Sequence, residues 1–413
     1  MRRPLFRWPR RTADSQRCVT HLEPLEPRVL LASVSGVEIT PLTEAATAHA
    51  EKAGINPGLI RGRAVSNGGQ FVAFESLASD LGFNDSNDAT DIFLVDRDAN
   101  TITRLSLDTG GQEVAEASRY PAMSADGQFV VFASLGKLTD DTVDNPNEWN
   151  TYLYDRVADT LMRIPGSGHS IGFNFPPTVN NPAISADGST IAFHAATSPS
   201  TNLFLYDRVS GATTQVTTSG TNLYPSLSAD GRYMAFESDM NETSNRVYRY
   251  DRDTGETLLV SKDSTGASAR ADKAGISGDG NVVSFQSFDS DLIDSSSFFA
   301  QIFVYDVAAD TTTMVTRNAG GVQCDGVNVG LAFHNNDGSR LVFESFATNL
   351  VPEDTDEGGD IYLWERDPDT GEGTLQLLSV SLDGTKGNGE SLDPFMTNDG
   401  NIVAFSSQTN NLV

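Results

Sequence analysis

Seven copies of one short pattern run through the 413-residue chain and decide what it can fold into. They read Ala-Val-Ser-Asn-Gly-Gly (64–69), Met-Ser-Ala-Asp-Gly (123–127), Ile-Ser-Ala-Asp-Gly (184–188), Leu-Ser-Ala-Asp-Gly (227–231), Ile-Ser-Gly-Asp-Gly (276–280), His-Asn-Asn-Asp-Gly (334–338) and Met-Thr-Asn-Asp-Gly (396–400). Within a few residues of each comes an apolar run ending at a phenylalanine: Phe74, Phe132, Phe193, Phe236, Phe285, Phe343 and Phe405. Self-similarity at this spacing means a stack or ring of supersecondary units, none of which buries its apolar face alone.

Residues 224–260 show what one unit contains. Tyr224–Ser228 reads as a short strand and Ala229-Asp230-Gly231-Arg232 turns it, because glycine accepts the positive φ of a tight hairpin. Tyr233–Ser238 is a second strand, Arg246–Asp251 a third, and Thr257–Ser261 a fourth after the Asp253-Thr-Gly-Glu256 turn. Four antiparallel strands from about 40 residues make one blade of a β-propeller. No segment keeps a helical period, so the body is expected to be all-β.

The pattern Ser-x-Asp-Gly, an apolar strand ending in Phe-Glu-Ser and a later Tyr-Asp-Arg resembles the TolB-like propeller repeats, across nearly all of residues 64–413. The resemblance implies a TolB-like, WD-repeat-like β-propeller, most simply of seven blades. It leaves function open, since that family hosts binding modules, lyases and regulatory caps. Val37–Leu42 reads as a fourth strand with no blade before it, and the seventh unit stops after two strands. The last blade is therefore either incomplete or closed by the N-terminal strand, which would hide both sheet edges. In the closed form it still lacks an obvious third strand.

The first 33 residues differ in kind, with a net charge of +4 against −32 for the rest. The stretch Leu22-Glu-Pro-Leu-Glu-Pro-Arg-Val-Leu-Leu-Ala-Ser33 resembles the LEPR-XLL leader of planctomycete surface and secreted proteins. That resemblance implies export to the envelope or beyond, and divides the chain into a basic leader (1–33) and a propeller (34–413). The apolar run Val29–Val34 is shorter than the roughly 7–15 residues of an ordinary secretory signal. No run approaches the roughly 18 apolar residues of a spanning helix. So acidic a body repels phosphate backbones and argues against nucleic acid as a partner.

Candidate sites follow from what breaks the repeat. The Asp-Arg pairs after the third strands (Asp96-Arg97, Asp155-Arg156, Asp207-Arg208, Asp251-Arg252) recur too regularly for one active centre and read as turn and inter-blade contacts. The residue after each phenylalanine varies: Glu75, Ala133, His194, Glu237, Gln286, Glu344, Ser406. Strand alternation puts these at one position around the ring, where they bind a polar ligand or satisfy neighbouring backbone. Arg119, Tyr120, Tyr224, Arg270 and Lys273 lie at or near the starts of first strands, and His169 sits in a long insertion before one. Together with His194 they are the candidate ligand-binding set. Asp354, Asp356 and Asp360, at alternate positions around a glycine turn, are candidate calcium ligands, and Asn84–Asp88 leading to Asp91 is a similar loop.

No His-Glu-x-x-His motif and no phosphate-binding glycine loop occurs. The resemblance implies that TolB-like lyases use a His-rich metal centre in the channel. His194 and His334 are the candidates for that here, at non-equivalent repeat positions. The leading expectation is an exported, non-catalytic propeller that binds a protein or saccharide ligand on its face. A polysaccharide lyase or hydrolase with its site in the channel, and a fragment of a larger surface protein, are the alternatives.

Overall fold

A computed structural model describes residues 64–77, 81, 85–141, 149–165, 181–197, 200–240, 244–289, 292, 299–381 and 383–412, with strands at 6–7, 28–33 and 39–41. Among these residues the chain forms seven four-stranded antiparallel sheets, numbered here as blades 1 to 7 in chain order. Blade 4 is the pattern: inner strand Asn222–Leu227, second strand Tyr233–Ser238, third strand Arg246–Asp251 and outer strand Thr257–Leu259. Blade 1 keeps only a bridge at Val65 on its inner side and gains Phe6–Arg7 outside its fourth strand.

The core is divided among the seams. One apolar cluster fills each junction between successive blades, and the cluster holding Val72 and Phe74 of blade 1 also holds Phe395 and Ala404 of blade 7, so the ring closes. Within blades 1 to 6, the phenylalanine of the second strand stacks on the aromatic opposite it in the third. Phe193 with Phe204, Phe236 with Tyr248 and Phe343 with Tyr362 have ring centroids 5.6, 5.8 and 5.6 Å apart.

The repeated turn explains itself. In blade 2 the Ser124 hydroxyl donates to Asp126 (2.6 Å) and accepts from the Phe129 amide (3.0 Å), so the side chains fold the hairpin locally. The turns also touch each other. Amides donate from Asn67 to Ala125, Ala125 to Ala186, Asp187 to Ala229, Ala229 to Gly278, Asp279 to Asn336 and Asn336 to Asn398, at 2.6–3.2 Å. This chain of bonds runs from blade 1 to blade 7. Gly188 has φ +70°, and a Cβ there would fall 2.5 Å from the Phe129 ring of the blade before. Glycine is required there by conformation and by space alike. The Asp-Arg pairs act as expected: Arg208 donates to the Gly188 carbonyl (2.8 Å) and lies over the Phe129 ring, while Asp207 accepts the Val209 and Ser210 amides.

Blade 7 supplies the main departure from expectation. Its inner and second strands are Ser391–Met396 and Ile402–Ser407, and Ile39–Pro41 is its fourth, within the segment anticipated for it. The third strand, which sequence inspection left without a candidate, is Arg28–Ser33. It pairs antiparallel with the second strand, Arg28 opposite Ser407 and Ser33 opposite Ile402. The Val-Leu-Leu-Ala-Ser end of the leader-like motif is thus backbone-paired into the ring. The boundary expected at residue 33 falls between two neighbouring strands of one sheet.

Two outcomes follow. Gly188→Ala costs about 3 kcal/mol by denaturant unfolding, against about 1 for Gly211→Ala, which has a positive φ but open space around it; equal costs would deny the packing role. Removing residues 1–27 leaves the closing blade its four strands, whereas removing 1–33 bares the edge of Ile402–Ser407 and lowers Tm by ~5 °C or more relative to the shorter truncation.

Candidate functional site

Each full inner strand in blades 2, 4, 5, 6 and 7 carries a register shift against its second strand. Tyr120, Tyr224, Lys273, Gly330 and Asp393 stand at these shifts with φ between +51° and +74°. A bulge turns a backbone amide away from its own sheet and leaves it needing an acceptor. The preceding blade provides one. Glu75 accepts the Tyr120 amide (2.7 Å), Glu237 that of Lys273 (2.6 Å) and Glu344 that of Asp393 (2.8 Å). Gln286 makes the reverse bond, donating to the Gly330 carbonyl (3.2 Å).

The variable ring position is therefore a set of seam clips. Of the two uses expected for it, these four residues show the satisfaction of neighbouring backbone. His194, at the same position in blade 3, is buried beside them in the ring. Burial pushes the Glu237 carboxyl up to about 7 and that of Glu344 up to about 8, although each accepts a backbone hydrogen bond that pulls the other way. Burial also raises Asp272, beside Lys273.

The bulge residues share one level of the ring, where the inner strands begin. The inner strands of blades 2 to 6 also line a cavity with small and aliphatic side chains such as Ala122, Ile184, Leu227 and Ile276. Of the candidate ligand-binding residues, Arg119 and Tyr120 lie on the inner strand of blade 2 (Ser118–Met123), Tyr224 on that of blade 4 and Lys273 on that of blade 5 (Asp272–Ile276). Arg270 is exposed just ahead of that strand. Two of them meet: the Lys273 ammonium lies 5.8 Å from the centre of the Tyr224 ring. Arg119 donates to the Thr90 hydroxyl of blade 1 (3.2 Å). His169 lies outside the described residues. His334 ends the inner strand of blade 6 and lines the cavity, whereas His194 lies on the second strand of blade 3.

Asp354, Asp356 and Asp360 do come together, their oxygens within 4.8 Å of one another. Sequence inspection missed what they surround. The Lys386 ammonium sits 2.8 Å from Asp356, 2.8 Å from Asp360 and 3.5 Å from Asp354, filling the place a cation would take. Its partner charges raise its affinity for the proton against the opposing effect of burial. A second cluster joins Asp85, Asp91 and Glu113 in blade 1, and among the described residues no such group contains a histidine.

No family model matches the sequence, and no curated protein matches it. Solved structures do. The chain is similar to an oligogalacturonate lyase in complex with manganese, at 12% identity and TM-score 0.55 over 94% of this chain and 97% of that one. The oligogalacturonate lyase of Vibrio parahaemolyticus matches at 11% identity and TM-score 0.53, over 93% and 98%. TolB of Acinetobacter baumannii matches at 15% identity and TM-score 0.42, over 77% of this chain and 59% of that one. The likeness is one of fold, and it agrees with the ring of four-stranded sheets: the chain is a β-propeller.

The buried glutamates make stability depend on pH with a definite sign. A carboxyl whose value in the fold lies above its ordinary 4.5 binds its proton more tightly when folded. Stability is then greatest below that ordinary value and is lost as pH rises toward 7 and 8. Tm is expected to fall by ~5 °C or more between about pH 5 and about pH 8.5. The double variant Glu237→Gln, Glu344→Gln, which keeps an oxygen for each amide, should flatten that slope; an unchanged slope would show that the carboxyls are not its source.

Proposed function

We propose that this chain is an exported, non-catalytic propeller of the cell envelope that binds a protein or saccharide ligand at the channel mouth. Arg119, Tyr120, Tyr224, Arg270 and Lys273 would carry the contact. The observation behind this reading is the pairing of Lys273 with Tyr224 at the level of the bulges. There an aromatic face and a cation stand side by side, and the acids beneath them are spent on holding the seams. Basic groups at one mouth of a chain with net charge −28 favour a ligand carrying a carboxylate, such as an acidic saccharide or an acidic peptide segment. The leader-like segment supports export. It also divides the protein into a basic stretch of 33 residues, whose last strand is lent to the ring, and the propeller proper.

A second reading is favoured by the likeness to oligogalacturonate lyases along nearly the whole of both chains. In that reading the channel acts on a polysaccharide, and His194 and His334 are the residues to examine. A third reading, a piece of a larger surface protein, leaves the mouth with the same binding role.

Binding of acidic oligosaccharides and acidic peptides, measured calorimetrically, separates these. The binding-module reading expects saturable binding that weakens ~10-fold or more, about 1.4 kcal/mol, in Lys273→Ala and Tyr224→Ala. Release of unsaturated uronate from oligogalacturonate, followed by ultraviolet absorbance and lost in His194→Ala or His334→Ala, would replace that reading with the enzymatic one.

A further inference from the structure

Blades 1 and 6 contain equivalent pockets that differ at three side chains: Phe93, Arg104 and Glu113 in one, Tyr362, Leu377 and Lys386 in the other. Asp85 and Asp354 each stand six residues before the start of a third strand, which begins with Asp91 and Asp360 respectively. Each strand-initial aspartate accepts a hydroxyl bond of 2.5 Å from the serine after the fourth strand, Ser106 or Ser379. Seven residues beyond that serine come Glu113 in blade 1 and Lys386 in blade 6, each bridged to the residue just after the serine, Leu107 or Val380. The third strand's third residue is Phe93 in one blade and Tyr362 in the other.

In blade 6 the pocket is balanced from within. The Tyr362 hydroxyl donates to Asp354, and the Lys386 ammonium reaches Asp354 and Asp360, whose side chains are fully buried. The third acid, Asp356, is well exposed and left to water.

In blade 1 both donors are gone. Phenylalanine has no hydroxyl to offer Asp85, and the lysine corner is a carboxylate. Asp85 is only 5% exposed at its side chain, yet its Oδ2 has no hydrogen-bond partner. Arg104 enters from the position that is Leu377 in blade 6 and contacts Asp91 and Glu113, but it stays 4.0 Å from Asp85. Three carboxylates, exposed by 5%, 0% and 16%, thus share one guanidinium, which leaves two negative charges in a site shielded from water. A buried surplus of that size is costly unless something pairs with it.

We infer that blade 1 holds a calcium ion between Asp85, Asp91 and Glu113, doing there what Lys386 does in blade 6. The charge balances: a divalent cation and Arg104 neutralise the three carboxylates. The donors are all oxygens lying within 4.8 Å of one another, suited to a hard cation that takes six to eight oxygens at 2.3–2.6 Å, with water completing the shell. Asp85 Oδ2 gains the partner it lacks.

The test uses the full chain stripped with chelator and titrated with calcium chloride, with heat of binding and Tm as readouts. One calcium per chain is expected, with a Tm rise that magnesium does not match. Glu113→Lys copies the blade 6 corner. It should fold with a Tm at least equal to that of the stripped wild type and lose the calcium response. Asp85→Asn, nearly isosteric, should lose stoichiometric binding even if Glu113→Lys fails to fold. No calcium-dependent change in the wild type would overturn the inference, as would an undiminished response in either folded variant.

Discussion

Everything in this ring depends on the hydrogen bonds that carry one Asp-Gly turn onto the next. A propeller blade buries its faces only against its neighbours, so the inter-blade contact is the unit that must be repeated faithfully. The turn does this twice over: its serine and aspartate fix the hairpin locally, and its outward amides and carbonyls reach the adjoining blades. The glycine is confined by the blade before it, and the Asp-Arg pair bolts the third strand to the same turn. The identity of these residues from repeat to repeat reflects that shared task. At the opposite end of the inner strands the acids that follow three of the phenylalanines, Glu75, Glu237 and Glu344, clip the seams again, through amides freed by the bulges.

A ring built this way has one weak place, where its ends meet. Blade 7 takes two strands from each end of the chain, so the outer half of that sheet comes from a segment about 370 residues away in sequence from the strand it pairs with. Pairing hides the edge of Ile402–Ser407 that would otherwise recruit other strands. It also gives the leader-like motif a task in the fold, since its last residues, Arg28–Ser33, are paired into the closing sheet.

Much of this was legible in the sequence for local reasons. The blade 4 strands fall within a few residues of where alternation and turn chemistry put them, because a two-residue period and an Asp-Gly turn are properties of adjacent residues. Arg28–Ser33 was illegible because the second strand it pairs with, Ile402–Ser407, is remote and the prolines before it read as a break. The role of Glu75, Glu237 and Glu344 was half legible. Alternation put them on one ring, but the amides they accept exist only because the inner strands bulge, and the Tyr-Pro and Asp-Pro pairs at 120–121, 224–225 and 393–394 were the available hint. Lys386 beside three aspartates could not be seen at all, since it lies 26 residues and a strand pair beyond the last of them.

What differs between blades is therefore what remains for function: the Tyr224–Lys273 pair at the mouth, and the changed corner of the blade 1 pocket. Both presuppose a closed ring with committed seams. Hydrogen–deuterium exchange of the full chain tests that premise most directly. Amides of Arg28–Ser33 should exchange as slowly as those of the third strands Arg246–Asp251 and Asp360–Arg366. Exchange of Arg28–Ser33 at the rate of a free peptide, with the amides of Ile402–Ser407 behaving as a bare sheet edge, would contradict the closure on which the account rests.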